Sequence, residues 1–141
     1  MRRWPVLLAM TMATVFLAGC CFLGFLGRGN GRANVAIAAE DDGRTIHVAR
    51  GDTLTLTLES NPTTGYTWEL SAGDPGVLAQ VGEPEYRPDP TTRGMMGAGG
   101  VAVFRFAVLR KGKTPLRLSY HRPWEKGQEP LRVFSVEIVV R

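Results

Sequence analysis

The chain has 141 residues, two cysteines and a formal net charge of +4 at pH 7, which falls to +2 without Arg2 and Arg3. This length is enough for one domain with a modest core. Basic residues are interspersed with acidic ones instead of forming a stripe, so the sequence predicts no nucleic-acid partner. Cys20 and Cys21 both lie near the N-terminus, which excludes a disulfide or a thiolate nucleophile from the rest of the chain.

The N-terminal segment has the features of a secretory signal. Two arginines precede an uncharged run over residues 4–27. The sequence LAGC at positions 17–20 resembles a bacterial lipobox, in which the cysteine becomes the lipidated first residue of the mature protein. We therefore predict lipidation of Cys20 and a membrane-anchored lipoprotein of the cell envelope, on its periplasmic or extracellular face. An uncleaved transmembrane helix is the alternative, because the run is long enough to span a bilayer.

Residues 22–42 are rich in Gly, Ala and Asn and have no sustained hydrophobic period. This composition is typical of a flexible linker. The sequence therefore divides into a signal peptide over residues 1–19, a membrane tether over residues 20–42 and one domain over residues 43–141.

Short alternating segments separated by Gly, Pro and Asp predict a domain of β-strands. The clearest is 53–59, where three leucines lie on one face. The prolines between 84 and 90 make that section an irregular or edge segment. Further strands are predicted over residues 45–49, 67–70, 77–81, 101–109, 114–120 and 131–140. We predict an all-β fold, an immunoglobulin-like antiparallel β-sandwich of seven or eight strands, although the strand count alone also allows a small barrel.

Three loops between predicted strands have distinctive residues: the tip loop (Asn61–Tyr66), the glycine loop (Met95–Gly100) and the tryptophan loop (His121–Glu125). The tip loop combines a proline that fixes φ, two β-branched threonines and a glycine that can take positive φ. Such a loop loses little entropy when it docks on a partner. The alternative interpretation is that it only joins two strands. Trp68, on the strand after the loop, is predicted to lie in the core.

Together, Asn-Pro-Thr-Thr-Gly-Tyr, Gly-Ala-Gly-Gly and Arg-Pro-Trp, in this order and between strands, resemble the chagasin family of cysteine-protease inhibitors over roughly residues 45–141. The resemblance implies the same architecture and reversible, tight-binding inhibition of papain-like cysteine proteases by three loops that block the active-site cleft. It also implies that Thr63 and Thr64 lie nearest the catalytic thiolate and that Trp124 anchors the complex. The protease-binding residues that it implies are Asn61, Pro62, Thr63, Thr64, Gly65, Tyr66, Gly97, Ala98, Gly99, Gly100, Arg122, Pro123 and Trp124.

No catalytic or metal-binding motif accompanies these loops in the sequence. His47 and His121 have no supporting Ser-His-Asp pattern, and no Cys pair, His pair or dense carboxylate cluster has metal-ligand spacing. We predict that the protein is not an enzyme and uses no cofactor or metal. The competing interpretations are an immunoglobulin-like binding or adhesion lipoprotein and a structural lipoprotein of the envelope.

Overall fold

The computed structural model describes residues 32–141, which form nine β-strands and three single 3-10 turns. The strands are β1 (Asn34–Ala38), β2 (Thr45–Val48), β3 (Thr53–Ser60), β4 (Thr67–Ala72), β5 (Leu78–Gln80), β6 (Glu85–Pro88), β7 (Gly100–Val108), β8 (Gly112–His121) and β9 (Arg132–Val140). The 3-10 turns are Ala39–Asp41, Pro62–Thr64 and Pro90–Thr92.

The nine strands form two sheets. One has the order β1-β3-β7-β5, with β6 also paired to β7, and the other has the order β2-β9-β8-β4. The pairs β1–β3 and β2–β9 are parallel, whereas the other pairs are antiparallel. β3, β6 and β7 therefore bring Ser60, Pro88 and Gly100 to one end of their sheet, since these residues are paired neighbours.

The core lies between the two sheets, and alternation along the strands fills it. Leu54 and Leu56 on β3 are fully buried, as are Leu116 and Leu118 on β8. Burying a leucine side chain completely contributes about 1.5–3 kcal/mol. The outward residues of β3 are polar, so the strand's period of two sets which face meets the opposite sheet.

The predicted β-sandwich is confirmed, and the structure corrects two of its details. β1 lies inside the segment predicted as a tether, and with it the strand count is nine instead of seven or eight. The sheets are also mixed, because a parallel pair forms at one edge of each. The buried carboxylate of Asp52 secures the start of β1 by accepting hydrogen bonds from the backbone N–H groups of Ala33 (3.1 Å) and Ala49 (2.9 Å).

The predicted signal peptide and the lipidation residue Cys20 lie outside the described residues. Within residues 32–141, no helix is long and apolar enough to cross a bilayer. The proline-rich section contains β6, which is an edge strand as the sequence suggested.

Candidate functional site

The tip loop forms a single 3-10 turn that is closed by its own side chains. The Oδ1 atom of Asn61 accepts hydrogen bonds from the backbone N–H (3.2 Å) and the hydroxyl (2.6 Å) of Thr63. The hydroxyl of Thr64 donates to the carbonyl oxygen of Asn61 (2.7 Å). Gly65 ends the turn with a φ of 79°, a left-handed conformation that favours glycine. The residue types therefore specify a stiff tip instead of a flexible connection.

Aromatic residues support the tip loop from the core side. The hydroxyl of Tyr120 accepts a hydrogen bond from the backbone N–H of Asn61 (3.1 Å). The Tyr120 ring stacks on Tyr66 at a centroid distance of 5.4 Å and contacts Trp68 at 4.9 Å. Trp68 is buried, as predicted, and its Nε1 donates to the carbonyl oxygen of Glu59 (2.8 Å). Tyr66 therefore packs beneath the loop.

The glycine loop is attached to the tip loop and to its own base. The side-chain amide of Asn61 donates to the carbonyl oxygen of Gly97 (3.1 Å). The backbone N–H of Asp89 donates to the carbonyl oxygen of Gly99 (3.2 Å). The hydroxyl of Tyr86 donates to the carbonyl oxygen of Ala98 (3.4 Å). These bonds hold successive carbonyl groups of the loop in place.

Gly100 has a packing role at the start of β7. A β-carbon placed there would overlap the carbonyl oxygen of Arg87 and would lie 2.8 Å from the hydroxyl of Tyr86. Only a residue without a side chain allows β6 to approach β7 this closely. The base of the glycine loop therefore depends on this glycine.

The tryptophan loop packs against the other end of the tip loop. Nε of Arg122 donates to the carbonyl oxygen of Thr64 (3.2 Å), and the guanidinium carbon lies 4.5 Å from the centroid of the Tyr66 ring. Glu125 pairs with the Nη1 atom of the same arginine at 3.1 Å. Arg122 therefore links the tryptophan loop to the tip loop.

The three loops share one end of the sandwich and expose apolar side chains there. Met95, Met96 and Trp124 are 69%, 103% and 65% exposed, which makes them the most exposed large hydrophobic residues in the part of the chain that the structure describes. Apolar and aromatic groups held on rigid loops are typical of protein-binding surfaces. The structure thus brings together all thirteen residues that the sequence singled out.

Sequence reasoning missed the residues that support this surface from below and behind. One of them is Tyr120, which binds the backbone of the tip loop through its hydroxyl. It lies only two residues before the Arg-Pro-Trp motif, but the sequence predicts it only as part of a strand. Asp89 begins the turn Asp89-Pro90-Thr91-Thr92, which repeats the residue pattern of Asn61-Pro62-Thr63-Thr64. That repetition was a usable signal, because an aspartate can make the same turn-closing bonds as an asparagine.

Histidine and acidic side chains are the groups from which a metal or acid–base site would be built. Over residues 32–141, no group of three or more His, Cys, Asp or Glu residues is placed to hold a metal ion. His121 is paired with Glu69, with 2.7 Å between Nε2 and Oε2. His47 lies on β2, an edge strand of its sheet.

The tip loop is hydrogen-bonded to both flanking loops, so the three loops form one surface at an end of the β-sandwich, where antibody domains have their binding loops. The family model described as chagasin family peptidase inhibitor I42 matches residues 47–138. The chain therefore belongs to the chagasin family of peptidase inhibitors, whose members are inhibitors and not enzymes.

Named relatives and a solved structure agree with this assignment. The chain is 36% identical to chagasin of Trypanosoma cruzi over 98 residues, which cover 67% of this chain and 87% of chagasin. It is 31% identical to amoebiasin-2 of Entamoeba histolytica over 105 residues, covering 74% of this chain and 84% of that protein. The crystal structure of a cysteine protease inhibitor from Entamoeba histolytica is similar with a TM-score of 0.71 and 30% identity, and the match covers 80% of this chain and 100% of that one.

Proposed function

We propose that this protein is a reversible, tight-binding inhibitor of papain-like cysteine proteases that fills the active-site cleft with its tip, glycine and tryptophan loops. The observation that carries the proposal is the bracing of the three loops. Asn61 bonds the tip loop to the glycine loop, and Arg122 bonds it to the tryptophan loop. A surface already held in one conformation loses little entropy on binding, so more of its contact energy appears as affinity.

The hydrogen bonding of the tip loop explains how it would resist cleavage. The carbonyl oxygens of Asn61, Pro62 and Thr64 each accept a hydrogen bond from within the protein, from Thr64, Gly65 and Arg122. A scissile carbonyl has to enter the oxyanion hole in line with the attacking sulfur. Three of the four carbonyl groups of residues 61–64 are thus occupied, and the compact 3-10 turn does not align the fourth, that of Thr63, for attack. In this proposal Thr63 and Thr64 cover the thiolate without being acylated.

The flanking loops would supply most of the contact energy. Trp124 is a large, exposed aromatic side chain with few rotatable bonds, and tryptophan is among the most frequent hot-spot residues. The backbone of Gly97, Ala98 and Gly99 is unhindered by large side chains, so the main chain of a protease could approach it. Because the three carbonyl oxygens already accept hydrogen bonds within the protein, bonds from a protease to them would use their second lone pairs. Gly100 would contribute indirectly, because it allows β6 to pack closely against the base of this loop.

We also propose that the inhibitory domain is tethered to the cell envelope through a lipid on Cys20. The support is the sequence alone, namely the two arginines, the uncharged run and the LAGC lipobox. Attachment at the N-terminus leaves the domain outside the cytoplasm. Metabolic labelling with a fatty-acid analogue tests this, with Cys20→Ala and Cys21→Ala as a matched pair. Loss of label only in Cys20→Ala supports the lipobox, and unchanged labelling in that variant overturns it.

The inhibitor proposal is tested by titrating papain with the full chain in detergent and measuring residual activity. We expect inhibition at nanomolar to low-micromolar concentration, recovery of activity on dilution, and an intact inhibitor on a gel afterwards. Circular dichroism confirms that the protein used is folded. Failure of folded protein to inhibit several papain-like proteases would overturn the proposal and favour an immunoglobulin-like binding module.

A further inference from the structure

Two adjacent methionines form the most exposed apolar point of the loop cluster. Met95 is 69% exposed and Met96 is 103% exposed. Gly94 and Gly97 flank them with φ angles of 93° and 81°, both in the left-handed region. The other three methionines of the chain are at positions 1, 10 and 12, so this pair holds every methionine sulfur of residues 32–141.

We infer that the Met95–Met96 pair is an oxidation-sensitive site, at which conversion of the thioethers to sulfoxides weakens binding of the inhibitor to its protease. The inference rests on the proposed function. It adds a chemical regulation to that site, because the same surface would bind tightly when reduced and weakly when oxidised.

The position of the pair places it within the binding surface. Gly97 directly follows Met96 and accepts the hydrogen bond from the side-chain amide of Asn61 (3.1 Å). At the other end of the tip loop, Gly65 packs against the indole of Trp124. The tip loop thus lies between the methionine pair and the tryptophan. A cleft that receives the tip would contact both.

The chemistry requires only a peroxide and an accessible sulfur. Hydrogen peroxide transfers one oxygen atom to the thioether, so an S–O bond forms, the O–O bond breaks and water leaves. Sulfur is oxidised by two electrons and the peroxide is reduced by two. Because both side chains are exposed, the reaction needs no unfolding of the domain.

The product changes the physical character of the surface. A methionine side chain is flexible and apolar, which suits an adaptable contact, whereas its sulfoxide is polar and chiral. Burying a polar group without a hydrogen-bond partner is unfavourable. Binding would therefore weaken, while the core, to which neither residue belongs, stays as it was.

The test compares the full chain before and after treatment with hydrogen peroxide, which is removed before papain is added. Mass spectrometry of peptides establishes oxidation at Met95 and Met96, and thermal unfolding establishes that the fold is retained. We expect the inhibition constant to rise roughly tenfold or more, from the cost of burying an unpaired polar group. Treatment with the two methionine sulfoxide reductases, one for each epimer, should restore the original constant.

The matched control is the double variant Met95→Leu, Met96→Leu, which keeps the apolar surface but cannot be oxidised there. Its inhibition constant is compared only with its own value before treatment, and that value should not change after peroxide. Resistance of both methionines to peroxide, an unchanged constant after their oxidation, or an equal loss in the leucine variant would each overturn the inference while leaving the inhibitor proposal intact. If the untreated protein does not inhibit, both are overturned.

Discussion

The indole of Trp124 lies directly against the α-carbon of Gly65. A β-carbon built on Gly65 would overlap Cη2 of the indole and would lie 2.8 Å from Cζ2. The same glycine has a φ of 79°, so two separate constraints exclude a side chain at this position. The tip loop and the tryptophan loop therefore pack closely against each other at this point.

Replacing Gly65 by alanine should weaken inhibition by about tenfold or more, since the methyl group must displace either the tip or the anchor indole. Gly127→Ala is the matched control, because Gly127 has a φ of 83° but nothing within 4 Å of its hypothetical β-carbon. Both variants incur the strain of a left-handed alanine, about 1 kcal/mol. Inhibition constants and denaturation curves separate the two effects. Equal inhibition constants for the two variants would contradict the packing argument.

Truncating Trp124 to alanine should reduce the binding free energy by about 2 kcal/mol or more, the range of a hot spot. The unfolding midpoint should change little, since the side chain is 65% exposed. Leu109→Ala provides the comparison, because Leu109 is 43% exposed and follows β7 at the end of the sandwich opposite the loops. Titration of papain with both variants measures the effect. A large loss of stability in Trp124→Ala would show that the residue is structural.

Asn61 and Asp89 begin two turns with the same pattern of hydrogen bonds. Oδ1 of Asp89 accepts from the backbone N–H (2.8 Å) and hydroxyl (2.7 Å) of Thr91, as Asn61 does from Thr63. Thr92 closes the turn by donating its hydroxyl to the carbonyl oxygen of Asp89 (3.2 Å). Since the backbone of Asp89 also holds Gly99, this turn sets the base of the glycine loop.

Asp89→Asn should therefore keep the glycine loop in place, whereas Asp89→Ala should loosen it and weaken inhibition severalfold. The hydrogen bonds from the Thr91 hydroxyl and backbone N–H hold the pKa of Asp89 below its ordinary value. Their stabilisation is present above the ordinary pKa of an aspartate and is lost as the pH falls through the lowered one. The amide resonance of Thr91 should titrate in acid in the wild type and stay constant in Asp89→Asn. If the Thr91 resonance titrates in both proteins, the titrating group is not Asp89.

Most strands and the three loops can be predicted from local sequence, whereas the contacts between distant residues cannot. The alternation in β3 predicts its buried leucines because a strand's period is two. The backbone carbonyl that Arg122 binds belongs to Thr64, 58 positions away, and no local pattern specifies which carbonyl a guanidinium reaches. Parallel pairing of β1 with β3 is likewise a long-range property, so a five-residue strand in an alanine-rich segment resembles a linker.

The assignment of β1 to the folded domain is itself testable through Ile37, which is 2% exposed and belongs to the core cluster. Ile37→Ala should lower the free energy of unfolding by about 2–5 kcal/mol, the usual cost of removing a buried isoleucine side chain. Val35→Ala, at a half-buried position of the same strand, should lower it by less. Denaturation of the full chain measures both, and papain titration should give unchanged inhibition constants for the protein that remains folded. An unfolding free energy unaffected by Ile37→Ala would mean that this segment is a linker, as its composition alone suggests.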